Sequence, residues 1–311
     1  MPGSTQSFKN RLLDLLGPND LEQLRPHLQT LTFEYKQLLY EPDRPIEWVH
    51  FPVTGVASLV NTMEDGSAVE VGTIGNEGMV GLPVVLGDPV DPSIAYVQVP
   101  GSGLRLRASI LEEKLRNSSS MRRVMLHYAH AFFSQIMQSA ACAHFHSLDQ
   151  RCCRWLLMTH DRVQSDEFLL TQEFLGMMLG VRRSSVTQAA RDLKNRKIID
   201  YRRGHVTVLD RPGLERCSCE CYGVSKREFD RLLGSPLGTV DQPAAVKLGR
   251  VRMSIADDRG LGRPSTRHDQ TLSDVADHRG VRIRPYVPDD YSGTFTLLGG
   301  QPFIFARSRK L

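Results

Sequence analysis

The chain has 311 residues, of which 41% are hydrophobic and 24% charged, a composition typical of a globular protein of about two domains. No apolar run reaches the ~18–20 residues of a membrane helix, and the N-terminus lacks the apolar core of a signal peptide, so we expect a cytoplasmic protein without a membrane partner. The net charge of +4 is unevenly distributed, because residues 182–211 hold nine Lys or Arg and three Asp. Such a basic segment indicates either a phosphate-binding surface or a solvated charged face.

The first hundred residues change from a helical to a strand-like pattern. Leucines at helical spacing over residues 8–28 predict two short helices. Short apolar and β-branched runs then alternate with turn signals such as Thr54-Gly55 and Asp65-Gly66, of which the second favours a hairpin. A last strand is expected at residues 94–99. This regular spacing predicts an antiparallel β-roll or sandwich, placed at residues 20–108.

A long helix is predicted after the strands. Residues 121–144 contain no Gly or Pro, and their apolar residues recur at intervals of three and four. The helix could lie on its own domain or pair with the same helix of a second copy. We favour pairing, within a dimerisation region at residues 109–147, through the interface residues Met121, Met125, Tyr128, Phe132 and Ile136.

The next segment combines two helices with a basic hairpin. Thr171 is a good N-cap for a short helix, Gly180 supplies a turn, and residues 182–195 form a second, basic helix. Two strand-like runs then flank a basic turn at residues 202–204. This order predicts a winged helix-turn-helix at residues 148–222, and the simpler alternative is a helical hairpin with a charged outer face.

These motifs carry a family resemblance. Residues 170–193 (LTQEFLGMMLGVRRSSVTQAARDL), with YRRG at 201–204 and LDRPGLE at 209–215, resemble the Crp/Fnr family of bacterial transcription regulators. Residues 72–83 (GTIGNEGMVGLP) are similar to the cyclic-nucleotide-binding-type roll of that family. The resemblance covers about residues 20–222. It implies an α+β protein with an N-terminal antiparallel, eight-stranded β-roll, a long dimerisation helix and a C-terminal winged helix-turn-helix.

The resemblance also implies which residues contact DNA. In the family the second helix of the motif enters the major groove, which assigns base reading to Arg183, Ser184 and Gln188. The other expected DNA contacts are Arg182, Ser185, Thr187 and Arg191 on the same helix and Arg202 and Arg203 on the wing. The expected partners are double-stranded DNA, a second copy of the chain and an unknown small-molecule effector, with RNA polymerase as a further candidate.

Other classes of function are less well supported. A cyclic-nucleotide-type sensory module acting through protein partners is the main alternative, and the basic helix argues against it. No nucleophile–base pair, metal-ligand helix or phosphate loop stands in a convincing context, so we expect no enzymatic activity.

The roll departs from the family at the cyclic AMP contacts. Members that bind cyclic AMP carry a Gly-Glu pair and later an Arg-Ser/Thr-Ala run, whereas this chain has GMV at 78–80 and PSIA at 92–95. Because a buried phosphate needs a cationic partner, we expect no cyclic AMP binding through those contacts. The roll could hold another effector, or side chains could fill its interior. The candidate pocket residues are Gly72, Glu77, Gly78, Met79, Val80 and Ser93.

The six cysteines are expected to be thiols. Fnr-like members hold an iron–sulfur cluster with cysteines near the N-terminus, where this chain has none. Cys217, Cys219 and Cys221 form a CxCxC run that could bind a soft metal or sense oxidants. The run has no evident fourth ligand. His144 and His146 lie near Cys142, but such histidines are more often surface or packing residues. We therefore expect no metal and no cofactor.

The C-terminal segment differs from the rest of the chain. Residues 236–311 contain no Glu or Cys, and their apolar periodicity is weak. We expect a poorly ordered extension, although a displaced reading frame in the source gene is an alternative.

Overall fold

The computed structural model describes residues 7–234 and, beyond them, only the short strands Val275–Ala276, Arg282–Ile283, Thr294–Thr296 and Pro302–Ile304. The chain divides into two compact units at residues 1–238 and 239–311. Most of the expected C-terminal extension therefore lies outside the described residues. Among the residues described, none of the helices combines the length and apolarity that crossing a membrane requires.

The N-terminal half of the first unit is an antiparallel sheet with short helices. Its elements in chain order are α1 (Arg11–Asp14), α2 (Pro18–Leu24), a 3₁₀ turn (Arg25–His27), β1 (Gln29–Phe33), β2 (Leu38–Tyr40), β3 (Trp48–Thr62), β4 (Ala68–Ile74), α3 (Leu82–Leu86) and β5 (Ile94–Arg107). The strand order is β1-β5-β3-β4, and β2 also pairs with β5. The predicted antiparallel β-rich half is confirmed.

Two of the strands are longer than predicted. The Thr54-Gly55 signal was expected to separate two strands, but β3 continues through it with register shifts against β5. Gly55 has a φ of +83°, and a Cβ there would lie 2.6 Å from the carbonyl oxygen of Val99. Strand β5 also continues past Pro100 to Arg107. Bulges bend both strands without ending them, so segments that were expected as separate strands are joined. The sheet therefore has five strands, whereas the resemblance implied eight.

Three helices follow the sheet: α4 (Ala108–Asn117), α5 (Ser119–Phe145) and α6 (Leu148–Val163). The predicted long helix is confirmed as α5, and its start is set by the Ser118 side chain, which accepts a hydrogen bond from the Met121 amide. Ser147 and Gln150 form a capping box at the start of α6. Only two residues therefore separate the long helix from the helix that leads into the C-terminal part.

The residues expected at the dimer interface lie on the wrong face of α5 for that role. Met121, Met125, Tyr128 and Phe132 are at most 3% exposed and belong to the core that α5 shares with the sheet, and Ile136 is partly buried against the same core. Side chains enclosed in their own protomer cannot form the surface that meets a second copy. The interface assignment is corrected accordingly.

The C-terminal part contains the winged helix-turn-helix elements and a final helix. They are β6 (Glu167–Leu169), α7 (Gln172–Leu179), α8 (Arg183–Asn195), β7 (Ile199–Arg202), β8 (His205–Val208), α9 (Arg211–Cys217) and α10 (Cys221–Leu233). The three strands form one sheet in the order β6-β8-β7. Helix α10 packs along α5, and its residues Phe229 and Leu233 join the core beneath the sheet.

Candidate nucleic-acid interface

Helices α7 and α8 are held close together by small residues. Thr171 caps α7 by accepting a hydrogen bond from the Phe174 amide at 3.1 Å. A Cβ at Gly176 would lie 3.1 Å from the Val181 carbonyl oxygen, and Gly180 adopts a φ of +63° in the turn. The inner face of α8 is buried through Val186, Ala189, Ala190 and Leu193. This packing fixes which face of α8 remains at the surface.

The outer face of α8 carries the residues expected to contact DNA. Six of the seven are exposed: Arg182, Arg183, Ser184, Ser185, Gln188 and Arg191. Thr187 is partly buried, and its hydroxyl donates to the Gln172 side-chain oxygen at 2.8 Å, so it fastens α8 to α7. The Gln188 amide donates to the Asp192 carboxylate at 2.9 Å and would have to turn away from it to reach another acceptor.

The cations at this surface differ in whether an acid neutralises them. Within residues 7–234, no acidic group forms an ion pair with Arg182, Arg183, Arg191 or Arg203. On the wing, Arg202 Nε lies 2.9 Å from Asp200. The hydrogen bond from Lys194 holds the pKa of the Asp200 carboxyl below its usual value, so Asp200 stays ionised and offsets the charge of Arg202. Arg203 is then the unpaired cation of the wing.

The wing is a tight hairpin. Arg203 and Gly204 connect β7 to β8, with φ angles of +49° and +83°. Two successive positive φ values are typical of a type I′ turn, which favours Asn-Gly or Gly-Gly. An arginine in the left-handed region is strained relative to Asn or Gly at the same position.

Helix α7, the first helix of the helix-turn-helix, packs directly on the sheet. In α7, the Met177 sulfur accepts from the Tyr96 hydroxyl at 3.9 Å, and the Met178 sulfur lies 3.7 Å from the Ser58 hydroxyl oxygen. A Cβ at Gly180 would lie 3.4 Å from the Val69 side chain of β4. These contacts hold α7 against the sheet, and α8 follows it after the tight turn at Gly180.

Two partly buried carboxylates connect the sheet to α6. Glu70 of β4 accepts from Ser58, from Thr73 and, at 2.7 Å, from the indole nitrogen of Trp155. Burial raises the pKa of the Glu70 carboxyl, and these three hydrogen bonds oppose the rise. Glu77 lies 2.7 Å from the Arg162 guanidinium in an ion pair that is almost enclosed.

The residues expected to line an effector pocket are occupied by other contacts. Glu77 faces α6 rather than a cavity, and Met79 and Val80 are fully buried in the core. The rings of Phe132 and Tyr128 lie against Gly72 and Gly78, with no room for a Cβ at either glycine. The Ser93 hydroxyl is 3.0 Å from the Tyr40 hydroxyl. Because Phe132 and Tyr128 belong to α5, this helix covers the site where the pocket was expected.

A small cavity lies close to that region. It has a volume of about 70 Å³ and lies between β4, α5 and α6, with Gly72, Glu70, Arg154 and Trp155 among its lining residues. This volume is enough for a few water molecules and too small for a nucleotide.

Comparison with known proteins agrees with this geometry. Residues 150–217 match the family model described as the Crp-like helix-turn-helix domain. No curated protein sequence matches the chain.

Solved structures with the same architecture include two described as members of the crp/fnr or CRP family, and FixK2. A crp/fnr family protein from Eubacterium rectale has 17% identity and a TM-score of 0.54, over 66% of this chain and 96% of that one. FixK2 from Bradyrhizobium japonicum has 17% identity and a TM-score of 0.54, over 62% and 98%. A CRP-family transcriptional regulator from Thermus thermophilus has 18% identity and a TM-score of 0.51, over 60% and 95%. The chain thus has the fold of the Crp/Fnr transcription regulators and carries a Crp-like helix-turn-helix domain at residues 150–217.

Proposed function

We propose that the protein is a homodimeric, sequence-specific DNA-binding transcription regulator whose helix α8 reads the major groove. The observation that carries the proposal is the outer face of α8, where Arg182, Arg183 and Arg191 are exposed and unpaired within the described residues, while the inner face is buried. A guanidinium that no acid neutralises is ready to donate to guanine or to phosphate. Genome-wide footprinting with the purified protein tests this, and the absence of any enriched sequence would contradict it.

Within this surface, base reading and backbone anchoring fall to different residues. Arg183 begins α8 and can donate two hydrogen bonds to guanine O6 and N7. Arg203 lies at the tip of the wing, where the phosphates of the flanking backbone are the nearer targets. Ser184 and Gln188 complete the set of base-reading residues, and Ser185 is a flanking contact.

Arg183→Ala is expected to weaken the free energy of binding to the cognate site by about 1–3 kcal/mol, and the free energy of binding to random DNA by much less. Arg203→Asn is the matched variant, because it removes the charge and leaves the Asn-Gly pair that a type I′ turn prefers. It should weaken cognate and random DNA almost equally and lower the salt slope by about one phosphate contact. Affinities of both variants on both DNAs at several salt concentrations provide the measurement. An unchanged specificity ratio for Arg183→Ala would rule out Arg183 as a base reader.

The surface proposed to meet a second copy is a line of exposed residues along α5. Leu126, Phe133 and Met137 are large apolar side chains that are 45%, 57% and 50% exposed. With the exposed residues His130, Ala140 and His144, they follow alternating steps of four and three, the spacing of a coiled-coil seam. A line of this kind supports parallel pairing of two α5 helices, which would present two copies of α8 to half-sites roughly 34 Å apart.

Cyclic AMP is expected neither to bind well nor to be required for DNA binding. Glu77 is already paired with Arg162, and the ring of Tyr128 occupies the space beside Gly78. A cyclic phosphate buried there would lack a free cation and would have to displace a packed aromatic ring. Calorimetric titration of the purified protein measures this. A dissociation constant below the micromolar range would overturn the prediction.

A further inference from the structure

The structure gathers cysteine and histidine side chains that are far apart in the sequence. Cys142 lies in the last turn of α5, and His146 caps the same helix. Cys219 precedes α10, and Cys221 is its first residue. One ligand atom from each of these four residues lies within 4.8 Å of all the others.

The CxCxC run contributes only part of this cluster. The thiol of Cys217 lies apart from it and accepts a hydrogen bond from Arg196 at 2.9 Å. Cys142, in the last turn of α5, and His146, at its C-cap, direct their side chains to the same side of the helix end. The fourth ligand that the run lacks in the sequence thus comes from the end of the long helix, which packs against α10.

We propose that Cys142, His146, Cys219 and Cys221 form a mononuclear zinc site. Zinc prefers four thiolate or imidazole ligands in a tetrahedron, and with Zn–S bonds of about 2.3 Å the ligand atoms are roughly 3.8 Å apart. The sulfur atoms of Cys142 and Cys219 are 3.5 Å apart, and the Cys221 sulfur lies 3.4 Å from His146 Nδ1. All three cysteines are buried in a cluster of their own. The set therefore has the size, burial and ligand types of a closed structural site.

The groups around the cluster support the same assignment. The other ring nitrogen of His146 lies 3.2 Å from the Glu220 carboxylate, the contact that orients a zinc-binding histidine and directs Nδ1 at the metal. The Gln138 amide donates to the Cys221 sulfur at 3.0 Å. Zinc with three thiolates has a net charge of −1. Arg154 donates to the Ser139 hydroxyl, one turn before Cys142, and brings a positive charge to that side.

The site would join two elements that matter for the proposed function. His146 stands between the end of α5 and the start of α6, and α10 is the helix that returns from the winged domain to α5. Zinc binding releases the thiol protons to solvent and ties α10 to this joint, so it contributes directly to folding there. The inference concerns the metal and stands independently of whether α8 reads DNA.

The test uses the full chain, purified under reducing conditions and supplied with zinc chloride, with bound metal measured by mass spectrometry. We expect about one zinc per protomer in the unaltered protein. Cys219→Ser and His146→Gln should each weaken zinc binding by more than ~100-fold, since changes even to groups behind the ligands cost about 10–100-fold. Cys217→Ser is the matched control, because it removes a neighbouring thiol outside the cluster and should retain the metal.

Cobalt binding to the unaltered protein provides a measurement that does not depend on how the variants fold. A tetrahedral thiolate site should give intense visible d–d bands and a thiolate-to-cobalt charge-transfer band. Absence of stoichiometric zinc, or equal loss of zinc in Cys217→Ser, would overturn the proposal. A Cys142–Cys219 disulfide that persists in the freshly purified, reduced protein would also overturn it.

Discussion

Glu77→Ala is expected to lower the free energy of unfolding by ~3–5 kcal/mol, because it leaves a charged guanidinium unpaired in the core. The side chains of Arg162 and Glu77 are only 8% and 12% exposed and lie 2.7 Å apart. The remaining guanidinium donors bond the Met158 carbonyl and the Gln135 side chain, so Arg162 cannot turn towards solvent without breaking them. Urea unfolding at fixed protein concentration measures the change.

Glu47→Ala is the matched control. It breaks an ion pair of 3.0 Å with Arg107, but the two side chains are 73% and 50% exposed. Solvent screens such a pair, so the expected loss is at most about 1 kcal/mol. Adding Arg162→Met to Glu77→Ala should recover part of the stability, because the unpaired charge is then gone. If Glu77→Ala lowers the free energy of unfolding by no more than Glu47→Ala does, the Glu77–Arg162 pair is not buried in solution.

The elements with strong local signals were predictable from the sequence. Asp65-Gly66 gives the β3–β4 hairpin, with Gly66 at a φ of +82°. The absence of Gly and Pro over residues 121–144 correctly predicts α5, and Gly180 correctly predicts the turn before α8. In each case a local backbone preference and the hydrophobic period agree with the tertiary structure, so neighbouring residues are sufficient to decide the element.

The sequence alone could not decide which face of α5 is buried. Apolar residues occupy both faces of this helix, so periodicity marks Phe132 and Phe133 equally. Phe132 packs against Gly72 of the sheet, and Phe133 remains exposed. The choice depends on a glycine sixty residues away that leaves space for one ring, and a local pattern does not carry this information.

The cysteine cluster and the role of Glu77 show the same limit. Cys142 and Cys219 are 77 residues apart, and Glu77 and Arg162 are 85 apart, so only the tertiary structure brings each pair together. For the cysteine cluster the sequence signal is the i, i+4 spacing of Cys142 and His146. For the ion pair it is Arg162 on an apolar helix face. Neither signal identifies the distant residue that completes the contact.

The second large effect is expected for Phe133→Asp, which should convert the protein into a monomer. Phe133 is 57% exposed at the centre of the apolar line on α5, and a dimer would bury two copies of it. If each copy of Phe133 contributes about 2 kcal/mol or more to the free energy of dimerisation, its replacement raises the dimer dissociation constant by about 10³-fold or more. Affinity for a palindromic site should fall with it, since a monomer contacts only one half-site. Analytical ultracentrifugation and DNA titration measure the two effects.

Leu86→Asp is the control for Phe133→Asp, because Leu86 is an apolar residue of α3 that is 64% exposed and lies off the proposed line. It should leave both the dimer and DNA affinity unchanged. A charged residue at the seam acts by desolvation, so the monomer should keep its circular dichroism spectrum, and its unfolding midpoint should fall only by the stability that dimerisation supplied. A change at Phe132 would instead disturb the core of each protomer. The exposed line on α5 would lose its assignment as the dimer surface if Phe133→Asp remained dimeric at micromolar concentration, or if the unaltered protein were monomeric there.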